Sequence, residues 1–197
     1  MAIKFPLALL GIGLFAVSPQ PLVRAQGEQR VFVLEIHGRG ALCAYTKESD
    51  WAKVPKEQDI EFIAIATSAG GVLKSILVQR FSEDTTRYDE YAIGGNGNVV
   101  QLKRTLDAIP DRVTAEQVWQ VRAGKASKVS ESWTQFKTNK PVPPDNDLAE
   151  LLAAPIVMRV SEFPFSALVT DAHPEKWPDG MRCEKGGMDV LESKPRN

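Results

Sequence analysis

Histidine and cysteine are scarce in this chain, with two of each, and that scarcity narrows its chemistry. A metal centre needs three or four ligands held close together. His37, His173 and Cys183, even joined by Asp171 or Glu175, have no ligand spacing, so neither a metal nor a cofactor is expected. Long apolar stretches are lacking too: the longest, Leu7 to Val17, is well short of the roughly 20 residues a helix needs to cross a bilayer. A surplus of positive charge is also missing. With 24 basic and 25 acidic residues, interspersed, the chain carries no footprint for nucleic acid or an anionic membrane surface, both of which select basic patches. At 43% hydrophobic and 25% charged residues, it is nonetheless ordinary globular material.

What is present begins with an export signal. Lys4 supplies a positive start, Leu7 to Val17 the apolar run, and Val23-Arg24-Ala25 the small residues a signal peptidase inspects. Residues 1–25 are therefore expected to be removed and the mature chain to begin at Gln26, secreted or periplasmic, with no integral membrane segment left. Losing Lys4 and Arg24 leaves 22 basic against 25 acidic residues, a net charge of −3. In an oxidising compartment Cys43 and Cys183 are expected to pair as a disulfide. The alternative is two free thiols, with Cys43 a potential nucleophile. Closing a loop of about 140 residues, the bridge is worth ~5 kcal/mol in the chain-entropy treatment.

From Arg30 to Lys137, short alternating segments separated by glycine turns indicate antiparallel strands. A type I′ turn at Asn96-Gly97 would set Ile93 against Val100, Tyr91 against Leu102, Asp89 against Arg104 and Glu90 against Lys103. The acids Asp84, Asp89 and Glu90 then read as a solvated hairpin face. Exchanging the charges within a pair is expected to be tolerated, and Asp89→Lys alone to cost up to ~1 kcal/mol. A turn at Gly70-Gly71 would set Ile65 against Ile76, Ile63 against Val78, Ala64 against Leu77 and Glu61 against Arg80. A third hairpin turns near Gly124-Lys125, where a three-residue turn would place Trp119 on Val129 and a two-residue turn would not. A fourth pairs Arg30–His37 with Ala41–Thr46 through Gly38-Arg39-Gly40. The fold expected is all-β: an antiparallel meander of about eight strands over residues 26–140, curled or closed into a barrel to hide its edges. Arg30–His37 reads as its most buried strand.

Residues 141–197 form a proline-rich extension packed on the same domain. Asp145 or Asn146 caps a short helix at Leu148–Leu152, Ile156–Val160 reads as a strand, and Phe163, Phe165, Leu168 and Val169 dock the extension. The aromatics Tyr88, Tyr91, Trp119, Trp133 and Trp177 would make a carbohydrate platform only if they shared a surface; core packing is the competing reading.

Two glycine motifs point elsewhere. His37-Gly38-Arg39-Gly40 resembles the HGGG oxyanion motif of hormone-sensitive-lipase-like members of the α/β-hydrolase family, and Ala66-Thr67-Ser68-Ala69-Gly70-Gly71 resembles that family's nucleophile elbow. The resemblance implies a small secreted esterase-like serine hydrolase. Ser68 would be its nucleophile, the Gly38 and Ala69 amides its oxyanion hole, and Asp171 or another acid the orienter of His173 as base. It departs from the family at Ala66, where the elbow has glycine, and at Thr67, where it has an acid. Read instead as hairpin turns, Gly70, Gly71, Asn96 and Gly97 are structural, no catalytic residue is assigned, and the chain is a non-catalytic module for an unknown ligand or protein partner.

Overall fold

A computed structural model of the chain describes residues 27–36, 41–51 and 60–185. The expected signal, the His37–Gly40 turn and residues 186–197 lie outside that set. Nine strands form one sheet: β1 Glu28–Ile36, β2 Ala41–Tyr45, β3 Ile60–Ala69, β4 Val72–Phe81, β5 Thr85–Ile93, β6 Val99–Ala108, β7 Val113–Arg122, β8 Lys125–Gln135 and β9 Met181–Lys185. The order is β8-β7-β6-β5-β4-β3-β1-β2-β9, every pairing is antiparallel, and the sheet does not close into a barrel. β3 to β8 run as a meander. β2 turns back on the outer side of β1, so β3 pairs with β1 instead, and β9 returns from the far end of the chain to cover β2.

Three hairpins share one device. In each, the second strand carries one extra, exposed residue shortly after the turn: Lys74 in β4, Val100 in β6 and Val129 in β8. Such a bulge leaves that residue unpaired and shifts the ladder by one. In β3–β4 the turn is at Gly70-Gly71 as expected, with φ of 59° and 73°. Beyond Lys74, however, Ile65 faces Leu77, Ala64 faces Val78 and Phe62, not Glu61, faces Arg80. Bulky Ile76 and Val78 thereby sit opposite Ala66 and Ala64 on the face that becomes the core.

In β5–β6 the expected pairs Tyr91/Leu102, Asp89/Arg104 and Glu90/Lys103 are present, but Ile93 faces Val99. The turn differs from the type I′ reading at Asn96-Gly97. Gly97 N–H donates to the Gly94 carbonyl at 3.0 Å, only Gly97 of the two has positive φ, 75°, and Asn96 Oδ1 accepts from Asn98 N–H at 3.2 Å. This is a turn centred on Gly95-Asn96 followed by a left-handed glycine, a geometry in which the bulge follows the turn. In β7–β8 the turn is two residues, Ala123-Gly124, so Trp119 faces Lys128 and not Val129; Lys128 Nζ lies 5.7 Å from the Trp119 ring centroid.

The extension covers one face of the sheet. The helices α1 Glu48–Trp51, α2 Asn146–Leu152 and α3 Ser166–Val169 are short. Asp145 caps α2, its carboxylate accepting from Asp147 and Leu148 N–H. Ile156–Val160 is not a strand: it touches the sheet through one bridge, Asn98 to Arg159, flanked by Val99 N–H to Met158 O and Val160 N–H to Gly97 O. Phe163, Phe165, Leu168, Val169 and Trp177 form one cluster with Val31, Val33, Ala64, Ile76, Tyr91 and Leu102. Phe165 packs on Phe62 and Phe163 edge-on against Tyr91. A second cluster, Leu106, Ala115 and Trp133 with Leu148 and Leu152, seats α2. Val31 to Glu35 of β1 are all buried, as expected of a strand apolar on both faces. Cys43 and Cys183 are bonded. They do not staple irregular chain, because they are direct partners in the β2–β9 ladder.

Candidate functional site

Two constellations stand out on the covered side of the sheet. The first is buried charge. Asp89 and Arg104 face each other as the sequence implies, but they are 4% and 1% exposed, so the reading of Asp89 as part of a solvated face is wrong. Arg104 Nε and Nη2 donate to the two Asp89 oxygens at 2.6 and 3.1 Å. Its remaining N–H groups donate to the carbonyls of Leu152, Ala154 and Pro155. Arg87 adds a bond from Nη1 to the Leu151 carbonyl at 3.2 Å. Two guanidinium groups thus satisfy carbonyls at the C-terminus of α2, where the helix dipole also favours cations.

Burial is the largest influence on Arg104 and acts to lower its pKa. The charge and hydrogen bond of Asp89, together with Tyr91, outweigh it, and Arg104 holds its proton more tightly than a free guanidinium. Arg87, with burial dominant, is shifted down. Tyr91 is shifted upward, first by burial and then by Asp89. The constellation is a fastening, and it leaves no room for substrate: all of Arg104's donors are spent on protein.

The second constellation is a cleft of about 360 Å³ at one end of the sheet. The β3–β4 turn, the β5–β6 turn and the chain after α3 meet there, and Ser68, Gly71, Gly94, Gly95, Thr170 and Asp171 are among its walls. Backbone at the glycines, the Ser68 and Thr170 hydroxyls and apolar Val72, Leu73 and Ile93 give it mixed character. Such a mixture of apolar surface with a few polar groups suits a small ligand. Gly95 has open space where a Cβ would be, whereas at Gly94 a Cβ would meet Val100 Cγ1 at 3.0 Å.

Ser68 and Asp171 share one cleft, but among the described residues the nucleophile-elbow fold and a contact of Asp171 with the His173 ring, both implied by the hydrolase resemblance, are absent. The segment after Ser68 is an antiparallel strand, not the helix of a nucleophile elbow, and no neighbouring strands run parallel. Asp171 does not orient the His173 ring. Its Oδ1 accepts from His173 backbone N–H at 2.8 Å, and its Oδ2 from Trp177 Nε1 at 2.8 Å and Arg182 Nη1 at 2.7 Å. The indole bond first, then the His173 amide and Arg182, hold the Asp171 carboxyl below the usual carboxylate range. The exposed His173 ring pairs instead with Glu175 through Nδ1 at 3.1 Å.

His37 lies outside the described residues, and with both cysteines spent in the disulfide Cys183 offers no thiolate ligand and Cys43 no free nucleophile. Among the described residues no three His, Cys, Asp or Glu side chains are grouped to hold a metal. No helix of the described residues is long and apolar enough to cross a membrane. The aromatics make no shared platform: Tyr91, Trp133 and Trp177 are buried, Trp119 is half-buried beside them, and the ladder turns Tyr88 to the reverse face. Comparison with known families, characterised proteins and solved structures finds no match to this chain.

Proposed function

We propose that the chain is an exported, non-catalytic binding module that takes a small ligand, or a short segment of a partner, in the cleft between the β3–β4 and β5–β6 turns. The observation that carries this reading is the cleft itself, about 360 Å³, walled by two structurally fixed glycine turns and a tethered Asp171. The Cys43–Cys183 disulfide suits an oxidising compartment, since thiols in the cytosol are kept reduced. Rigid turns around a cleft reduce the ordering cost of binding.

Solvent mapping of the isotopically labelled mature chain by NMR, with 2-propanol and N-methylacetamide as probes, tests it. Shifts should concentrate on the amides of Ser68, Val72, Gly95 and Thr170, and Gly95→Trp, which places an indole in open space, should abolish them. Probe shifts scattered over the surface, or unaltered in Gly95→Trp, would remove the cleft as a binding site.

A further inference from the structure

We propose that the Cys43–Cys183 disulfide is a reducible lock on a displaceable edge strand, opened by a dithiol in the folded protein so that β9 leaves β2 while the rest of the sheet stays intact. The two cysteines are direct ladder partners, so the bond spans neighbouring strands at an edge and can open without separating core elements. Cys183 is exposed and Cys43 half-buried, so the bond lies at the molecule's surface and not in its core, and access is one of the conditions for attack by a thiolate.

What holds β9 apart from the bond is modest. It is five residues long, lies last in the sheet order, and four of its side chains, those of Met181, Arg182, Cys183 and Lys185, are exposed. It contributes no residue to either apolar cluster. Its tie to the covering layer is Arg182 Nη1 to Asp171 Oδ2, a pair with an exposed arginine and therefore weak. The ladder with β2 is what remains.

Opening balances as ordinary exchange. A thiolate of the dithiol attacks Cys183 Sγ, forming a mixed disulfide, and Cys43 leaves with the bonding pair and takes a proton. The second thiol of the dithiol, deprotonated, then displaces Cys183, which is protonated in turn. The dithiol ends as a disulfide, having supplied two electrons and two protons. The outer edge of β2, Ala41–Tyr45, is then left with unpaired ladder groups, the kind of edge that accepts another strand.

Hydrogen exchange read by mass spectrometry, on the folded mature chain with and without dithiothreitol and no denaturant, tests the lock. Reduction should speed exchange in 181–185 and on the β2 edge by roughly tenfold or more while β5–β7 stay protected, since local openings have their own free energies. The Cys43→Ala/Cys183→Ala variant should show the same fast exchange without reductant and no response to it. If that variant does not fold, the exchange of the unaltered protein with and without dithiothreitol decides alone. A bond that resists dithiothreitol until denaturant is added, unchanged exchange in 181–185 after reduction, or loss of protection across the whole sheet would each overturn the proposal.

Discussion

Arg104 is the residue on which most of the architecture converges. Five donated hydrogen bonds from one side chain, two to Asp89 and three to carbonyls at and just past the end of α2, tie the middle of the sheet to the layer that covers it. Removing Asp89 strands a buried cation, so Asp89→Ala should cost about 3–5 kcal/mol in urea unfolding. Exchanging the two residues should not rescue it, because an aspartate at 104 cannot donate to three carbonyls. A fully tolerated exchange would show the carbonyl bonds to be incidental. The pairing of these residues was legible in the sequence, but their burial was not read from it, although Asp89 and Arg104 stand two residues from Tyr91 and Leu102 and so share their face. What the hairpin alone could not reveal was the layer from 141 to 180 that closes over that face. At the cleft, Asp171 has its folded pKa lowered, so its bonds contribute above the ordinary carboxylate range and are lost as pH falls through the folded value. The Trp177 Nε1–H resonance should therefore shift only in acid, below about pH 4, and Asp171→Asn should remove that step.

Among the elements, the hairpins show where reading by period two runs out. The Gly70-Gly71 turn, strand directions and the 89/104 register follow from glycines and matched charges, whereas the other two turns sit one residue earlier than their glycines suggest and Lys74, Val100 and Val129 give no sign in the sequence that they stand outside the ladder. A bulge is selected by which residues must share the covered face, a tertiary requirement. The turns themselves make two opposite predictions. Gly71→Val forces a β-branched residue to a φ of 73° and should cost roughly 1–2 kcal/mol. Ala123, already at φ 50° beside Gly124, is strained, so Ala123→Gly should stabilise by roughly 0.5 kcal/mol after the added unfolded-state entropy. Thermal unfolding of the two variants side by side checks both signs. The open edge at β8 carries Lys125, Lys128 and a bulge, the usual protection against edge pairing.

At the scale of the molecule, a nine-stranded open sheet is stabilised by an irregular layer that makes up the C-terminal part of the chain. Phe165, 0% exposed against Phe62, anchors that layer, and Phe165→Ala should cost about 3–5 kcal/mol. The sequence revealed the docking residues and the disulfide because apolar clusters and paired cysteines in an oxidising compartment have few other uses. It could not reveal the return of Met181–Lys185 as a ninth strand, since the stretch is only five residues long and its partner is an edge distant in the sequence. Nor could it reveal the cleft, which exists where two turns and the chain after α3 happen to meet. Binding without catalysis in that cleft is the central claim, and labelling with a fluorophosphonate probe tests it most directly. The mature protein should take up no adduct at Ser68, and Ser68→Ala should match the unaltered chain in fold. Stoichiometric modification of Ser68, with turnover of short acyl esters lost only in Ser68→Ala, would contradict it.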